Sequence, residues 1–318
     1  MAVGALRIED VATATGGRLL ARPARLDLTG VSIDSRTVRP GEVFFAIAGP
    51  RFDGHDFLLA AAAAGAAAAV VHRDVAAPPA LGLVRVEDTT RALSDLARHV
   101  RATADVPVVA ITGSAGKTTT KEMTAALLAT RGPVLKTEGN LNNQYGLPLS
   151  LLRLATEHTA AVLELGMSAA GELRALTGLA RPDVAVITMV APVHLEFFDS
   201  VEAIAAAKAE ILEGLDEDGA AVLNADDPLV RASEKERSGS PIAASGSGSG
   251  ATAGTTCRPR IGGAPSTACA STCAWAERAS TSPCRCPVRT SSRTSWPRRR
   301  SRITWASGPT RSRRPPSR

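Results

Sequence analysis

The chain has 318 residues, of which 44% are hydrophobic, and a formal net charge of +6. This length and composition allow two domains with cores of their own and exclude a peptide or a wholly disordered chain. The longest apolar run, residues 57–71, is mostly alanine and too short to cross a bilayer, and the N-terminus lacks the pattern of a secretory signal. We therefore expect a cytoplasmic protein that does not bind membranes.

The net positive charge comes from the C-terminal segment alone. Residues 238–318 contain 14 Arg and one acid, whereas residues 1–237 contain 23 basic and 30 acidic residues. The part that can fold is therefore mildly acidic and has no basic stripe, which argues against nucleic acid as the main partner. The C-terminal segment holds all five Cys and all three Trp but no Leu, Phe or Tyr. This composition predicts disorder.

Three interpretations of residues 238–318 are open. They are a natural Arg- and Ser-rich interaction tail, a module held by metal or disulfides, and the product of a frameshift in a GC-rich gene. The Cys spacings match no zinc template, because a single residue separates Cys284 from Cys286 and no His is near. We favour the frameshift, because out-of-frame GC-rich codons yield mainly the residue types found here.

Residues 1–88 predict a small α/β domain. A helix begins near residue 6 and ends at Gly16 and Gly17, and strands at 31–36 and 41–47 flank a turn at Pro40 and Gly41. The Ala-rich segment 58–69 favours a helix, followed by the strand-like residues 68–73. Next, residues 89–104 predict an amphipathic helix that starts at a Thr cap and has an apolar face of Leu93, Leu96, Ala97 and Val100.

Residues 89–237 predict a second domain in which strands and helices alternate. The strands are apolar runs at 106–113, 159–167, 182–190 and 220–224, and the helices lie at 117–130, 171–180 and 201–215. This order predicts a mostly parallel sheet, incomplete here and covered on both faces, whose ligands bind at the carboxyl ends of the strands. The whole chain is thus expected to be an α/β protein of two domains, 1–88 and 89–237, followed by a disordered basic tail, 238–318.

A phosphate-binding loop follows the first of these strands. Its sequence is Thr112-Gly113-Ser114-Ala115-Gly116-Lys117-Thr118-Thr119, and a helix comes next. The glycines let the backbone wrap a phosphate, the lysine neutralises its oxygens, and the first threonine hydroxyl can hold Mg²⁺. The full P-loop pattern would have Gly at Ile111, so this is a shortened variant. The strand–loop–helix context favours nucleotide binding over an incidental Gly-rich turn.

The loop and the segments around it resemble the ATP-dependent Mur ligases of bacterial cell-wall synthesis. The matching segments, in chain order, are residues 32–36, 40–46, 53–57, 112–123, 139–148, 164–167 and 171–172. The resemblance covers roughly residues 5–232 and implies an enzyme that joins an acid to an amine. Residues 139–148 favour the branch that adds D-alanyl-D-alanine to UDP-N-acetylmuramoyl-tripeptide. They argue against the branch that adds the third peptide residue and against folylpolyglutamate synthase.

The resemblance implies a reaction through an acyl phosphate, with ATP and Mg²⁺ as cofactors. A peptide carboxylate attacks the γ-phosphate of ATP, and the amine of D-alanyl-D-alanine then displaces phosphate. The implied catalytic residues are Lys117, His194 and Lys208, and the implied metal ligands are Thr118, Glu164, His194 and Lys208, the last as a carbamate. From the residues alone, Lys208 could be an exposed helix lysine, His194 could be a histidine with hydrogen-bond partners in the core, and Glu164 could be a solvated loop acid.

Further residues are implied in binding. Gly113, Ser114, Ala115, Gly116, Lys117, Thr118, Thr119 and Asn224 would contact the nucleotide. The substrate would contact Ser32, Asp34, Ser35, Arg36, Asp53, Gly54, His55, Asn142 and Asn143. From the residues alone, Asp34 with Arg36 could be a plain surface ion pair, His55 could cap a turn, and the two asparagines could be turn residues.

The resemblance fades after residue 228 and is gone by about residue 238. The Gly-Arg-His-Asn segment and the third domain that the family has next are not recognisable. We therefore expect little ligase activity from the chain as written, and the alternative function is a catalytically inactive nucleotide-binding fragment. In either case we expect a monomer whose partners are small molecules.

Overall fold

The computed structural model describes residues 6–24, 27–193, 197–215 and 218–233, with the backbone alone of 242–245. The rest of the 238–318 segment, for which we expected disorder, lies outside the described residues, and so does His194. The described residues form an α/β structure with one five-stranded and one six-stranded sheet. No helix within these residues has the length and apolar character needed to span a membrane.

The N-terminal part is built on the five-stranded sheet. Its elements are β1 (Leu6–Arg7), α1 (Ile8–Ala14), β2 (Arg18–Ala21), β3 (Asp27–Leu28), β4 (Gly30–Ser32), β5 (Glu42–Phe45), a 3-10 turn (Gly54–Phe57), α2 (Leu58–Ala63), β6 (Ala68–Val71) and β7 (Gly82–Arg85). The strand order is β2-β7-β6-β5-β4, in which only β2 is antiparallel, while β1 and β3 form a separate antiparallel pair. The strand predicted at 41–47 is confirmed as β5, whereas the one predicted at 31–36 is too long, because β4 ends at Ser32 and a turn at residues 35–37 follows.

The Ala-rich helix predicted for residues 58–69 is too long. Helix α2 ends at Ala63, and Gly65 adopts a left-handed conformation with φ of 97°. Ala68 and Ala69 then pair in parallel with Val43 and Phe44 in the sheet. All four residues of β6 are buried, so the pairing and burial of a central strand outweigh the helix propensity of alanine here.

Helix α3 (Thr89–Thr103) connects the two sheets. Its predicted apolar face is confirmed, because Leu93, Leu96, Ala97 and Val100 are all buried, and one hydrophobic core continues from the first sheet through this helix to the second. The cap was predicted wrongly. Asp88 caps the helix, and its Oδ1 accepts hydrogen bonds from the amides of Thr90 and Arg91 at 2.7 and 2.9 Å. The Thr89 hydroxyl instead donates to the Ala46 carbonyl oxygen at 3.0 Å.

The central part is built on the six-stranded sheet. Its elements are β8 (Val108–Thr112), α4 (Lys117–Leu128), β9 (Val134–Lys136), α5 (Gly146–Leu151), β10 (Ala160–Glu164), α6 (Glu172–Ala180), β11 (Val184–Ile187), α7 (Val201–Ala209), a 3-10 turn (Glu210–Gly214), β12 (Ala220–Asn224), α8 (Pro228–Ala232) and β13 (Ile242–Ser245). The order β13-β12-β11-β8-β10-β9 is parallel throughout. The predicted parallel sheet is therefore confirmed. Strand β8 lies between β10 and β11, where the chain crosses from one side of the sheet to the other.

Strand β13 differs from the expectation for the C-terminal segment. Residues 242–245 were assigned to a disordered tail, yet their backbone pairs in parallel with β12, from Ala221 opposite Ile242 to Asn224 opposite Ser245. The disorder prediction therefore does not hold for these four residues. Strand pairing depends on backbone hydrogen bonds, which the composition of a segment does not reveal.

The cap of α3 gives a testable prediction. Asp88→Ala removes the only side-chain acceptor described for the amides of Thr90 and Arg91, and we expect it to lower the free energy of unfolding by about 0.5–2 kcal/mol. Urea denaturation followed by circular dichroism measures this change. Asp88→Asn keeps a capping oxygen and should retain most of the stability. Equal losses in both variants would show that the carboxylate charge, rather than the cap, stabilises the helix.

Candidate functional site

The phosphate-binding loop lies at the carboxyl end of β8, as the sequence predicted. Gly113 and Gly116 have φ values of 148° and 82°, which favour glycine. A Cβ atom on Gly113 would lie 1.9 Å from the hydroxyl oxygen of Thr188, so no other residue fits there without displacing the loop. Helix α4 begins directly after Gly116, and its N-terminal amides point toward the loop. This geometry is that of an anion-binding site.

Thr188, at the end of β11, holds the loop in place. Its hydroxyl donates to the Ala115 carbonyl oxygen at 2.6 Å. Next to it, the Ser114 amide donates to the Met189 carbonyl oxygen at 2.8 Å, and the Ser114 hydroxyl accepts from the Ala191 amide at 2.9 Å. The sequence analysis missed Thr188, although its place directly after a parallel strand is a signal that could have revealed it.

Glu164, the last residue of β10, is buried beside the loop. The side chain is only 4% exposed, and its Oε2 accepts a hydrogen bond from the Thr118 hydroxyl at 2.9 Å. Its Oε1 accepts from the Asn142 side-chain amide at 3.0 Å. Three of the predicted site residues are thus in direct contact, and they join α4, β10 and the loop after β9.

A cavity of about 660 Å³ opens next to these residues. It lies between the phosphate-binding loop, the segment after β9, the loop after β10 and helix α7. The predicted site residues that line it are Gly113, Ser114, Lys117, Asn142, Asn143 and Lys208. Gln144, Ser168, Gly171 and Glu172 also line it and were not predicted as site residues. The volume is within the range of small-molecule sites.

Two lysines contribute positive charge to the cavity. The Lys117 Nζ donates to the Gly113 carbonyl oxygen at 2.7 Å and so folds back over the loop. Lys208, on α7, is only 3% exposed, although the sequence left open an exposed helix lysine. Burial, and after it the charge of Lys117, lowers the pKa of Lys208 to about 8. Near neutral pH the amine therefore loses its proton more readily than an ordinary lysine.

Two residues beside the cavity, Thr118 and Glu164, fit a magnesium ion. Within the described ranges no group of three or more His, Cys, Asp or Glu is close enough to bind a metal, and His194 lies outside those ranges. The Thr118 hydroxyl and the Glu164 carboxylate nevertheless supply hard oxygen ligands at 2.9 Å from each other. Because Mg²⁺ usually takes one or two protein oxygens and completes its shell with water and phosphate, this pair is sufficient.

The side chains of two further predicted site residues, Asn143 and Asn224, form hydrogen bonds with backbone groups. Asn143 Oδ1 accepts from the amides of Tyr145 and Gly146 at 3.1 and 2.9 Å, at the start of α5. Asn224 donates to the Thr188 carbonyl oxygen at 2.9 Å and accepts from the Asp226 amide at 3.0 Å. Asn143 still lines the cavity, whereas Asn224 does not and is connected to the phosphate-binding loop through Thr188. A ligand role for either residue stays a prediction.

The predicted site residues of the N-terminal part do not line this cavity. Asp34 and Arg36 form a bidentate ion pair, with Nε to Oδ1 at 2.9 Å and a terminal nitrogen to Oδ2 at 2.7 Å, and the Arg36 side chain is 85% exposed. This pairing lowers the pKa of Asp34. The Ser32 hydroxyl accepts from the Asp34 amide at 3.2 Å, which shapes the same turn. The substrate roles of these residues and of Ser35 stay predictions.

His55 is held by protein partners on both ring nitrogens. Its Nε2 accepts from the His72 amide at 3.1 Å, and its Nδ1 donates to Asp53 at 2.5 Å. Gly54 packs so closely that a Cβ would lie 2.7 Å from the Ala46 backbone. The histidine side chain is fully buried, so the structure gives it an internal contact and leaves its predicted substrate role untested.

Comparisons with known proteins give a consistent result. A sequence model described as Mur ligase family, catalytic domain, matches residues 27–101, and one described as Mur ligase middle domain matches residues 111–259. The UDP-N-acetylmuramoyl-tripeptide–D-alanyl-D-alanine ligase of Escherichia coli strain K12 is 46% identical over 205 residues, which are 64% of this chain and 44% of that protein. The chain thus spans about half the length of the curated relatives it matches.

Two crystal structures of proteins named MurF are also similar to this chain. MurF from Acinetobacter baumannii superposes with a TM-score of 0.73 at 33% identity, over 78% of this chain and 54% of the other. MurF ligase from Thermotoga maritima, solved in complex with ADP, gives a TM-score of 0.62 at 39% identity, over 68% of this chain and 50% of the other. The match of the middle-domain model extends to residue 259, past the end at about residue 238 that we inferred from motifs.

The buried histidine gives a prediction for pH dependence. Burial lowers the pKa of His55, which outweighs the opposite effect of Asp53, while His72 and Arg73 lower the pKa further. The unfolded chain therefore takes up this proton at a higher pH than the folded one, and the stability that the neutral ring gives is lost as pH falls below about 6.5. Protonation also removes the acceptor for the His72 amide.

Urea denaturation at pH 7.5 and 5.5 measures this effect. We expect His55→Gln to show a smaller loss of unfolding free energy between the two pH values than the wild type. His99→Gln, which replaces an exposed histidine on α3, should behave like the wild type. An unchanged pH dependence in the His55 variant would contradict the assignment.

Proposed function

Because the chain belongs to the Mur ligase family, we propose that it carries the ATP site and the UDP-sugar site of an ATP-dependent ligase in peptidoglycan synthesis. The proposed reaction adds D-alanyl-D-alanine to UDP-N-acetylmuramoyl-tripeptide. The observation that supports it best is the contact between the Thr118 hydroxyl and the buried Glu164 carboxylate at the start of α4, beside a phosphate-binding loop. Because its substrates are a nucleotide and a nucleotide-linked sugar, the proposal includes a cytoplasmic location.

The first half-reaction transfers a phosphoryl group. An oxygen of the tripeptide carboxylate attacks the γ-phosphorus of ATP, the bond to the β-phosphate oxygen breaks, and an acyl phosphate and ADP result. The obstacle is the repulsion between a carboxylate and a triphosphate. In this proposal the loop amides and Lys117 neutralise the phosphate oxygens. To do so, the Lys117 amine gives up its hydrogen bond to the Gly113 carbonyl oxygen and donates to a phosphate oxygen instead.

The metal site follows from the same residues. Thr118 and Glu164 would hold Mg²⁺, which supplies charge neutralisation at the transferring group when bound. Asn142 keeps the Glu164 carboxylate oriented through its 3.0 Å hydrogen bond. His194, which the resemblance implies as a further ligand, stays part of the proposal on that ground alone.

The second half-reaction forms the amide. The free amine of D-alanyl-D-alanine attacks the carbonyl carbon of the acyl phosphate, inorganic phosphate leaves, and the nitrogen gives up a proton. In this proposal the residues around the cavity bind the acyl phosphate, which is the reactant that the amine attacks. Gly171 and Glu172 at the start of α6 line the cavity, and in this proposal they contact the peptide end of the substrate.

The assay of phosphate release tests the ligase assignment. With ATP, Mg²⁺ and UDP-N-acetylmuramoyl-tripeptide, we expect slow release that depends on D-alanyl-D-alanine, in line with the little activity expected from the sequence. Lys117→Ala should lower this rate at least about 100-fold, because the loop then lacks its charge. Lys136→Ala, at an exposed lysine on β9, is the matched control and should react normally.

Other outcomes would select other functions. ATP binding without release that depends on D-alanyl-D-alanine would identify a catalytically inactive nucleotide-binding fragment. Activity only with a UDP-muramoyl dipeptide, or only with a folate, would contradict the assignment.

We also propose that Lys208 carries a carbamate. A neutral lysine amine adds to carbon dioxide and releases a proton, which converts a cation into an anion. The burial of Lys208 and its pKa of about 8 favour the neutral amine that this step needs, and the charge of Lys117 in the same cavity would attract the product. The carbamate could then act as a further oxygen ligand for the metal.

Carbon-13 NMR in ¹³C-bicarbonate buffer at pH 8 tests this. We expect a protein-bound carbamate signal in the wild type that Lys208→Met abolishes. Lys136→Met should keep the signal. A signal that survives in the Lys208 variant, or no signal in the wild type, would overturn the assignment.

A further inference from the structure

Lys121 is a buried cation whose role the proposed mechanism leaves open. It lies on α4, three residues after Thr118, and is only 2% exposed. Its Nζ donates to the Thr137 carbonyl oxygen at 2.8 Å, and the closest carboxylate, that of Glu122, is at 3.2 Å. Glu122 is half-exposed and also pairs with Lys136. Burying an ammonium group with such modest compensation costs free energy that an apolar side chain would not cost.

The acceptor of this lysine is connected to Glu164. Thr137 is fully buried and follows β9, where its amide donates to the Val162 carbonyl oxygen at 3.1 Å. Its hydroxyl accepts a hydrogen bond from the Glu164 amide at 3.0 Å. Thr137 thus contacts Lys121 through its carbonyl group and Glu164 through its side chain.

Helix α4 is therefore attached to the end of β10 at two points. One is the direct hydrogen bond from the Thr118 hydroxyl to the Glu164 carboxylate. The other is the indirect connection from Lys121 through Thr137 to the Glu164 amide. A cation between Thr118 and Glu164 would replace the first contact. The second consists of hydrogen bonds of Lys121 and Thr137, neither of which lines the cavity, so it would persist.

We infer that Lys121 is a positioning residue that fixes the distance between the Thr118 hydroxyl and the Glu164 carboxylate. Lys121 also anchors the segment from Thr137 to Asn143. Within this segment, the side-chain amide of Asn142 donates a hydrogen bond to the same Glu164 carboxylate. This inference rests on the proposed function, because its consequence is a preformed metal and nucleotide site.

Hydrogen–deuterium exchange tests the connection without any ligand. Lys121→Met keeps the length of the side chain and removes the ammonium group, and Lys136→Met removes the other lysine that pairs with Glu122. We expect amide exchange in residues 137–143 and at Glu164 to become at least about tenfold faster in Lys121→Met and to stay unchanged in Lys136→Met. Exchange in α3 serves as the internal reference. Unchanged exchange in the Lys121 variant would overturn the inference.

Nucleotide affinity with and without Mg²⁺ tests the consequence. For a fluorescent ATP analogue in EDTA, we expect Lys121→Met to bind within about twofold of the wild type, because the loop and Lys117 are intact. With Mg²⁺ we expect the variant to bind about tenfold more weakly than the wild type. A purely structural role would lower the melting temperature and leave the ratio of the two affinities unchanged, which would overturn the inference.

The two measurements separate this inference from the proposed function. If the wild type binds no nucleotide in either buffer, the proposed function fails, and the exchange experiment still decides whether Lys121 positions Glu164. If the wild type binds nucleotide more tightly with Mg²⁺ and Lys121→Met does the same, the inference alone fails.

Discussion

The parallel pairing of β8 with β10 on one side and β11 on the other is the constraint on which the candidate site depends. It sets Glu164 opposite Ile111 and Ile187 opposite Thr112, so that the three strands end at the same level. Because side chains alternate along a strand, a shift of one residue in β10 would turn Glu164 away from Thr118. The phosphate-binding loop, its bond to Thr188 and the buried carboxylate all follow from this register.

The sequence predicts some of these strands and helices and not others. The apolar runs that became β8, β10, β11 and β12 indicate a parallel sheet by themselves, and the rule that ligands bind at the carboxyl ends of such strands locates the site. The sequence gives no comparable signal for β9, β13 or α5, because these are short and their residues show no clear period. The early end of α2 depends on Gly65 and on the pairing of Ala68, which are tertiary effects.

The side-chain contacts were predictable only where a motif fixes them. Thr118 and Lys117 have expected roles that follow from their place in the phosphate-binding loop, whereas the loop motif gives no role to Lys121, which lies one turn further along the helix. Its burial comes from the packing of α4 against β9 and β10, which no local pattern encodes. Asp88 and Thr89 show the same limit on a smaller scale, because both can cap a helix and only the fold decides which one does.

The two groups of predicted substrate residues differ in a way that suits the substrate proposed. Asp34 pairs with Arg36 and Asp53 with His55, and none of the four lines the cavity, whereas two lysines line it and the buried Glu164 carboxylate lies beside it. A UDP-muramoyl peptide has an anionic nucleotide at one end and the reacting carboxylate at the other. Such a molecule needs an anchor separate from the reaction site, because binding free energy gained at a remote end can be used to orient the reacting group. The division of the predicted residues between two sheets would provide this separation, and the shared core through α3 connects the two parts.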